Sequence, residues 1–251
     1  MVTGASSGIG ESIARQLADH GTDLVVVARR RDRLEALAEQ LTVDVEVVIA
    51  DLADDDQCRR AEARLMSDDA PIDLLVANAG ISWIGSILDS EVDNTDTMIR
   101  LNVLSLARMV HLVVPRMVAV GRGGILVTSS TASFQPTPFS ANYGATKAFV
   151  TSLAEAVHAE VDGTGVHVTA LCPGPTHTEI EEANGIDTSA PDFLYARADD
   201  VARAGLEGLG QNKALVIPGL GNKVGATLPR LVPRAVTRRL VKELYGRFAT
   251  Q

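Results

Sequence analysis

Short apolar runs recur along this chain, each separated from the next by a stretch with helical periodicity. That alternation restricts the fold more than any other feature. Leu24–Ala28, Val45–Ile49, Leu74–Ala77, Ile125–Thr128, Val166–Leu171 and Ala214–Ile217 are short and predominantly apolar. Runs of this kind suit strands buried on both faces of a parallel sheet. Between them lie the amphipathic stretches Gly10–Asp19, Asp32–Leu41, Asp54–Met66, Thr95–Val118, Tyr143–Val161 and Asp199–Leu209. Strands alternating with helices predict a doubly wound, Rossmann-like α/β domain: a parallel sheet of about seven strands with helices on both faces. A length of 251 residues allows one large α/β domain or two small ones. No Pro/Gly-rich linker, low-complexity tract or internal repeat divides the chain. The expectation is one domain, with residues 1–220 as its body and 221–251 as a basic amphipathic tail.

Charge and cysteine content narrow the function. The net charge is −9, which argues against a nucleic-acid partner, because phosphate binding needs a basic face. The two cysteines, Cys58 and Cys172, offer no disulfide framework and no metal-ligand spacing. Both read as reduced, which fits a cytoplasmic setting. No apolar run reaches the ~18 residues of a membrane span, and no secretory signal is recognisable.

Two local patterns carry chemistry. The first is Thr3-Gly4-Ala5-Ser6-Ser7-Gly8-Ile9-Gly10, between a strand stub and a helix. Glycines let a backbone approach a pyrophosphate, and a helix N-terminus then favours it through free N–H groups and the helix dipole. A glycine-rich turn with no ligand is the plainer alternative, and the position at the first βα junction speaks against it. The second pattern is Tyr143 and Lys147. Lys147 is the only lysine among the first 212 residues, which otherwise use arginine for every cation. Positions i and i+4 share a helix face, and a nearby ammonium favours phenolate over phenol. Tyr143 is thereby a candidate general acid or base. An incidental helix pair is the alternative, so the neighbouring motifs decide.

Together with those neighbours the chain resembles the single-domain short-chain dehydrogenases/reductases over essentially its whole length. Thr3–Gly10 looks like their TGxxxGxG loop. Ala77-Asn78-Ala79-Gly80 is similar to their NNAG motif, with alanine for the first asparagine. Asn102, within Arg100-Leu101-Asn102-Val103, matches the helix asparagine of the catalytic tetrad. Ser130 stands thirteen residues before Tyr143, the spacing of the family's catalytic serine, and Tyr143-Gly144-Ala145-Thr146-Lys147 matches YxxxK. Pro173-Gly174 with Thr178 resembles the motif after the sixth strand. Asn78–Gly80, Ser130, Pro173–Gly174 and the glycine loop all follow strands. They therefore fall at the carboxyl edges of the sheet, where ligands of open α/β sheets bind.

The resemblance implies hydride transfer between a nicotinamide and a carbonyl/alcohol pair. In reduction, Ser130 would hydrogen-bond the carbonyl oxygen and Tyr143 would donate the proton. Lys147 would stabilise the phenolate and hold the nicotinamide ribose, and Asn102 would anchor a water chain that reprotonates Tyr143. The implied cofactor set is Gly4, Ser6, Ser7, Gly8, Ile9, Gly10, Arg29, Asp51, Leu52, Asn78, Ala79, Gly80, Tyr143, Lys147, Pro173, Gly174, Thr176 and Thr178. Asp51 is expected to accept from the adenine amino group, and Asp73 to be structural. The second strand ends in Ala28-Arg29-Arg30-Arg31 with no acid. An acid there would bind a ribose 2′-hydroxyl, whereas an arginine suits a 2′-phosphate. Arg29, assisted by Ser6, therefore points to NADP(H) rather than NAD(H), with a solvated basic turn as the alternative. None of the five histidines reads as catalytic, His177 lacks a metal-ligand spacing, and no metal is expected.

The expected activity is NADPH-dependent carbonyl reduction. Alternatives are an NAD(P)-linked alcohol or hydroxysteroid dehydrogenase working oxidatively, and a non-catalytic nucleotide sensor. Thr178–Ala198 is expected to shape the substrate site. Homo-dimers or homo-tetramers are the usual assemblies of the family. The tail carries Lys223, Arg230, Arg234, Arg238, Arg239, Lys242 and Arg247 against Glu243 alone. Leu228, Leu231, Val232, Val236, Leu240, Val241, Leu244 and Phe248 recur at near-helical spacing, with Pro229 and Pro233 interrupting its start. A basic amphipathic helix fits peripheral contact with an anionic membrane, or docking on the acidic body. Finally, Met1-Val2-Thr3 is a short lead into the glycine loop. Strands usually have about five residues, so the natural frame is expected to extend upstream by roughly that number.

Overall fold

The β-branched runs become strands because their side chains can be buried on alternate sides of a sheet. The computed structural model describes residues 1–179 and 195–246. Seven parallel strands form one sheet: β1 (Val2–Thr3), β2 (Leu24–Ala28), β3 (Val45–Ile49), β4 (Leu74–Ala77), β5 (Gly123–Thr128), β6 (Val166–Leu171) and β7 (Leu215–Val216). Their order is β3-β2-β1-β4-β5-β6-β7. Among the described residues the helices are α1 (Gly8–Asp19), α2 (Arg31–Gln40), α3 (Asp55–Leu65), α4 (Val92–Ile99), α5 (Leu106–Val120) and α6 (Ala141–Glu160), then α7 (Ala198–Gly210), α8 (Leu220–Leu231) and α9 (Arg234–Gly246).

Period-two alternation along β2 separates two cores. Val25 and Val27 join Leu75 and Ile125 in a cluster with Leu65 of α3, Met109 of α5 and Val150 of α6. Leu24 and Val26 join Val76 and Leu126 in another, with Ile13 of α1, Leu34 of α2 and Val201 of α7. Each face of the sheet is thus sealed by its own helices, as the uninterrupted apolar runs require.

The chain reverses its direction of strand addition between β1 and β4. β1 pairs with β2 through Val2↔Val26 and Thr3↔Val27, and with β4 through Val2↔Val76. Such a switch point opens a crevice beyond the carboxyl ends of the strands. The two-residue β1 holds its central slot with help from Met1. The Met1 amine donates to Leu74 O at 2.7 Å, and Val76 N donates to Met1 O at 2.8 Å. The amine is buried, and desolvation pushes it down to about 5.

Two expectations are corrected. Thr95–Val118 is not one regular helix. α4 and α5 are joined by a π-helical segment, Arg100–Ser105. The Ser105 hydroxyl donates to Leu101 O at 2.6 Å, competing for a carbonyl of the helical ladder. The resulting run Val92–Val120 holds an 18-residue window of mean hydropathy 1.6, long and apolar enough to cross a membrane by length and composition. Its buried Leu106, Met109, Val110, Val113 and Met117 pack against the sheet, so it is a core helix. The tail, expected as one helix, forms two. Pro229 lies within α8, and Pro233 lies between the two helices. Most of the Thr178–Ala198 stretch, and Phe248 with Arg247, lie outside the described residues.

Candidate active site

The glycine loop leaves β1 and turns at once into α1. Gly4 N donates to Val27 O at 2.8 Å, which anchors the turn on β2. At Gly10 the loop closes on itself. A Cβ there would lie 2.3 Å from Gly4 O and 2.5 Å from Asn78 Nδ2, so no other residue fits without displacing backbone. Thr3 ties the loop to the neighbouring strand: its Oγ1 accepts from Asn78 N at 3.0 Å and Ala79 N at 3.1 Å. Asn78 completes the frame. Its Nδ2 donates to Thr3 O at 3.2 Å, and its Oδ1 accepts from Thr128 Oγ1 at 3.0 Å. One asparagine side chain thus joins the ends of β1, β4 and β5 at the switch point.

A cleft of about 380 Å³ opens above these strand ends. Gly4, Ser6, Ser7, Gly8, Ile9, Arg29, Asp51, Leu52, Asn78, Ala79, Gly80, Ser130, Tyr143, Lys147, Pro173, Gly174, Thr176 and Thr178 all line it. Of the residues expected at the site, Gly10 and Asn102 do not. Gly10 supports the loop from beneath. Asn102, in the π segment, is buried, with its Oδ1 accepting from Ile81 N at 2.9 Å and its Nδ2 donating to Ile81 O at 2.8 Å and Thr146 Oγ1 at 3.1 Å. Asn102 therefore holds the backbone just after Gly80. A π bulge at such a position is common at functional sites.

At the other end of the cleft, α6 presents Tyr143 and Lys147 on one face. The Lys147 ammonium lies 5.7 Å from the centroid of the Tyr143 ring. Lys147 is buried, and its Nζ donates to Thr128 O at 2.8 Å. Burial pushes this ammonium down to about 8. Charged groups are rarely this deep unless function requires it. The two serines after β5 divide their tasks. Ser129 is buried, donates to Lys147 O at 2.8 Å and lies 2.6 Å from Thr151 Oγ1, which locks α6 to the sheet. Ser130 caps the turn Thr131–Phe134, with its Oγ accepting from Ala132 N at 3.1 Å at the cleft wall.

At the adenine end expected for a dinucleotide, Arg29 and Arg30 both line the cleft but are held differently. Arg29 is well exposed and makes only a loose pair with Asp51 at 3.7 Å. Asp51 Oδ1 also accepts from Ala53 N at 3.0 Å. Arg30, which the sequence reading left unassigned, turns inward. Its Nη2 donates to Ser6 Oγ at 2.9 Å and Ser7 Oγ at 2.7 Å. Its Nη1 donates to Glu179 at 2.6 Å. Hydrogen bonds from Arg30, then from Arg33, hold the Glu179 carboxyl down at about 2. Ile81, Thr128, Ser129 and Glu179 are further cleft residues that sequence reasoning missed. The run of three arginines was the available signal for Arg30. Nothing local signals Glu179, which lies 149 residues from its partner.

Similarity to known proteins agrees with this geometry. Residues 1–188 match the short chain dehydrogenase family model. Sulfoacetaldehyde reductase 2 of Chromohalobacter salexigens is 36% identical over 212 residues, covering 80% of this chain and 84% of the relative. A short-chain dehydrogenase from Sphingobium yanoikuyae in complex with NADPH superposes with a TM-score of 0.83 at 35% identity, over 96% of this chain and 94% of the other. The bulky-bulky ketone specific alcohol dehydrogenase from Comamonas testosteroni gives a TM-score of 0.78 at 31% identity, over 87% and 85%. The chain belongs to the short-chain dehydrogenase family and is an oxidoreductase of that family.

Proposed function

We propose that this oxidoreductase is an NADPH-dependent carbonyl reductase. The observation that carries the reading is the buried Lys147 ammonium beside Tyr143, with Ser130 on the same cleft at the β1/β4 switch point. The cleft fits a dinucleotide. Gly80 leaves open a position 3.3 Å from Lys147 Nζ and 3.2 Å from Asn102 Oδ1, which a Cβ would otherwise fill. The glycine loop and the N-terminus of α1 are suited to a pyrophosphate. The nicotinamide cofactor, when bound, supplies the hydride.

The protein's own groups account for the rest. Ser130 hydrogen-bonds the substrate carbonyl oxygen and orients it. Tyr143 donates a proton to that oxygen as negative charge develops on it. Lys147 stabilises the tyrosinate left behind, and its cationic form also suits the ribose hydroxyls. Asn102 holds Ile81 and Thr146, and so keeps Gly80 and α6 in register with Lys147. The absence of an acid after β2, together with Arg29, Arg30 and Ser6 on the cleft, supports NADP(H) over NAD(H). The NADPH complex of the Sphingobium neighbour is in keeping with that choice. Similarity to a reductase and to a ketone-specific enzyme favours reduction as the direction and a carbonyl compound as the substrate class.

Tyr143→Phe tests the reading. The ring stays and the proton donor goes, so NADPH binding should persist while turnover against a panel of ketones falls at least ~10²-fold. A variant retaining more than a tenth of wild-type turnover would remove Tyr143 from the acid role.

A further inference from the structure

Glu179 lines the cofactor cleft and binds arginines that are 149 and 146 residues away in sequence. It follows β6 through the turn Pro173–Thr178, and Thr178 beside it packs over the glycine loop, 3.0 Å from where a Cβ on Gly8 would lie. The Glu179 carboxylate accepts from Arg30 Nη1 at 2.6 Å and, through its other oxygen, from Arg33 Nη1. Arg30 is at the same time bonded to Ser6 and Ser7 of the glycine loop. Ser6, Ser7, Arg30 and Glu179 all line the cleft. One acid, distant in sequence, thus draws Arg30, a cleft cation of the strand-end basic run that would otherwise be offered to a ligand, and is itself held by Arg33 of α2.

A carboxylate and a phosphate monoester compete for the same guanidinium forks. The phosphate brings about −1.5 to −2 charge and three acceptor oxygens, where the carboxylate brings one charge and two oxygens. This argument rests on the reading above that the basic turn after β2, with Ser6, takes an adenosine 2′-phosphate. On that basis we infer that Glu179 is a built-in anionic competitor. It occupies the phosphate pocket of the free enzyme, must be displaced by NADP(H), and thereby sets how strongly the cleft separates the phosphorylated cofactor from the unphosphorylated one. NADH lacks the competing phosphate and binds with the Glu179 latch closed. NADPH binds only the fraction of molecules in which the latch is open, so its apparent affinity is reduced by that fraction.

Glu179→Gln keeps the size and shape of the side chain and removes the charge. Dissociation constants for NADPH, NADH, adenosine 2′,5′-bisphosphate and adenosine 5′-monophosphate are measured by titration calorimetry on the full-length wild type, Glu179→Gln and Arg30→Gln. The latch predicts roughly fivefold tighter NADPH and bisphosphate binding by Glu179→Gln, in the range expected when exposed ion pairs are released. NADH and the monophosphate stay within about twofold. Weaker NADPH binding by Glu179→Gln would make the carboxylate a support and overturn the inference. Equal tightening of both cofactors would make it a general gate and also overturn it. If Arg30→Gln weakens NADPH while Glu179→Gln changes nothing, the phosphate reading stands and the latch alone is refuted. If the wild type binds both cofactors equally and Arg30→Gln changes neither, the cofactor reading itself fails, and the latch with it. A thermal midpoint of Glu179→Gln close to wild type confirms that folding is not the cause of any difference.

Discussion

Lys147→Met should expose the energetic cost of the catalytic constellation as a pH dependence. Lys147 is buried in α6 with its ammonium on Thr128 O, and burial lowers it from 10.5 to about 8. At about 1.4 kcal/mol per pH unit, holding the charge inside costs the fold about 3 kcal/mol at neutral pH. The sign follows from proton counting. Between pH 8 and 10.5 the unfolded chain keeps the proton that the folded chain releases, so wild-type stability gains with rising pH. Below pH 8 both states are protonated and the cost is constant. Methionine has a similar length and no charge, so this component disappears from the variant. It also leaves Thr128 O without its lysine donor, a loss of about 1–3 kcal/mol that does not vary with pH. The difference between the two proteins' unfolding free energies isolates the titration. Urea unfolding at pH 7 and pH 9.5 should show wild type gaining about 2 kcal/mol on Lys147→Met between the two. Turnover should fall ~10²-fold or more at both pH values. A stability difference that stays flat from pH 7 to 9.5 would show that the ammonium is not desolvated and would refute the reasoning.

Other perturbations probe different parts of the molecule. Arg29→Asp puts an acid at the strand end and should weaken NADPH at least tenfold while sparing NADH, since a charge-assisted hydrogen bond is worth about 1.5–3 kcal/mol; equal losses for both cofactors would count against the 2′-phosphate site. For the 251-residue chain with a free Met1 amine, burial lowers that amine from 8.0 to about 5, so the unfolded state binds more protons between those values. Stability should therefore fall by about 1.4 kcal/mol per unit as pH drops through that window. An N-terminal extension of about five apolar-rich residues should abolish the slope and raise the thermal midpoint by several degrees; a slope that persists would locate the proton elsewhere. Leu220, Val224 and Leu228 of α8 and Val236 and Leu240 of α9 are exposed beside Lys223, Arg238, Arg239 and Lys242. On the reading that this tail lies on an anionic membrane, full-length protein should sediment with anionic vesicles at low salt and lose that binding when residues after Gly221 are removed; no sedimentation by the full-length chain would dispose of that reading.

Periodicity alone was sufficient for the architecture. Runs such as Leu24–Ala28 are apolar at every position, and only a sheet covered on both faces buries both alternating sets, Leu24 and Val26 on one side and Val25 and Val27 on the other. Local spacing foretold that Tyr143 and Lys147 share a helix face, because one helical turn brings i and i+4 together, and the surrounding motifs marked the pair as functional. The glycine loop was legible for a similar reason: close backbone approach, as at Gly10, leaves no room for a Cβ. Long-range packing decided the remainder. Whether Arg29 or Arg30 turns inward depends on where β2 ends and what faces it, and the facing serines belong to another loop. That Ser129 is tied to Lys147 O and Thr151 while Ser130 caps the next turn rests on how α6 packs against the sheet. Within the π segment of the Thr95–Val118 stretch, Asn102 finds its partners in Ile81 and Thr146, both remote in sequence. The pairing of Glu179 with Arg30 joins residues 149 apart. Helical and strand periods act over a few residues and are written into the order of side chains, whereas a bond across the cleft exists only once the sheet has brought its strand ends to one edge.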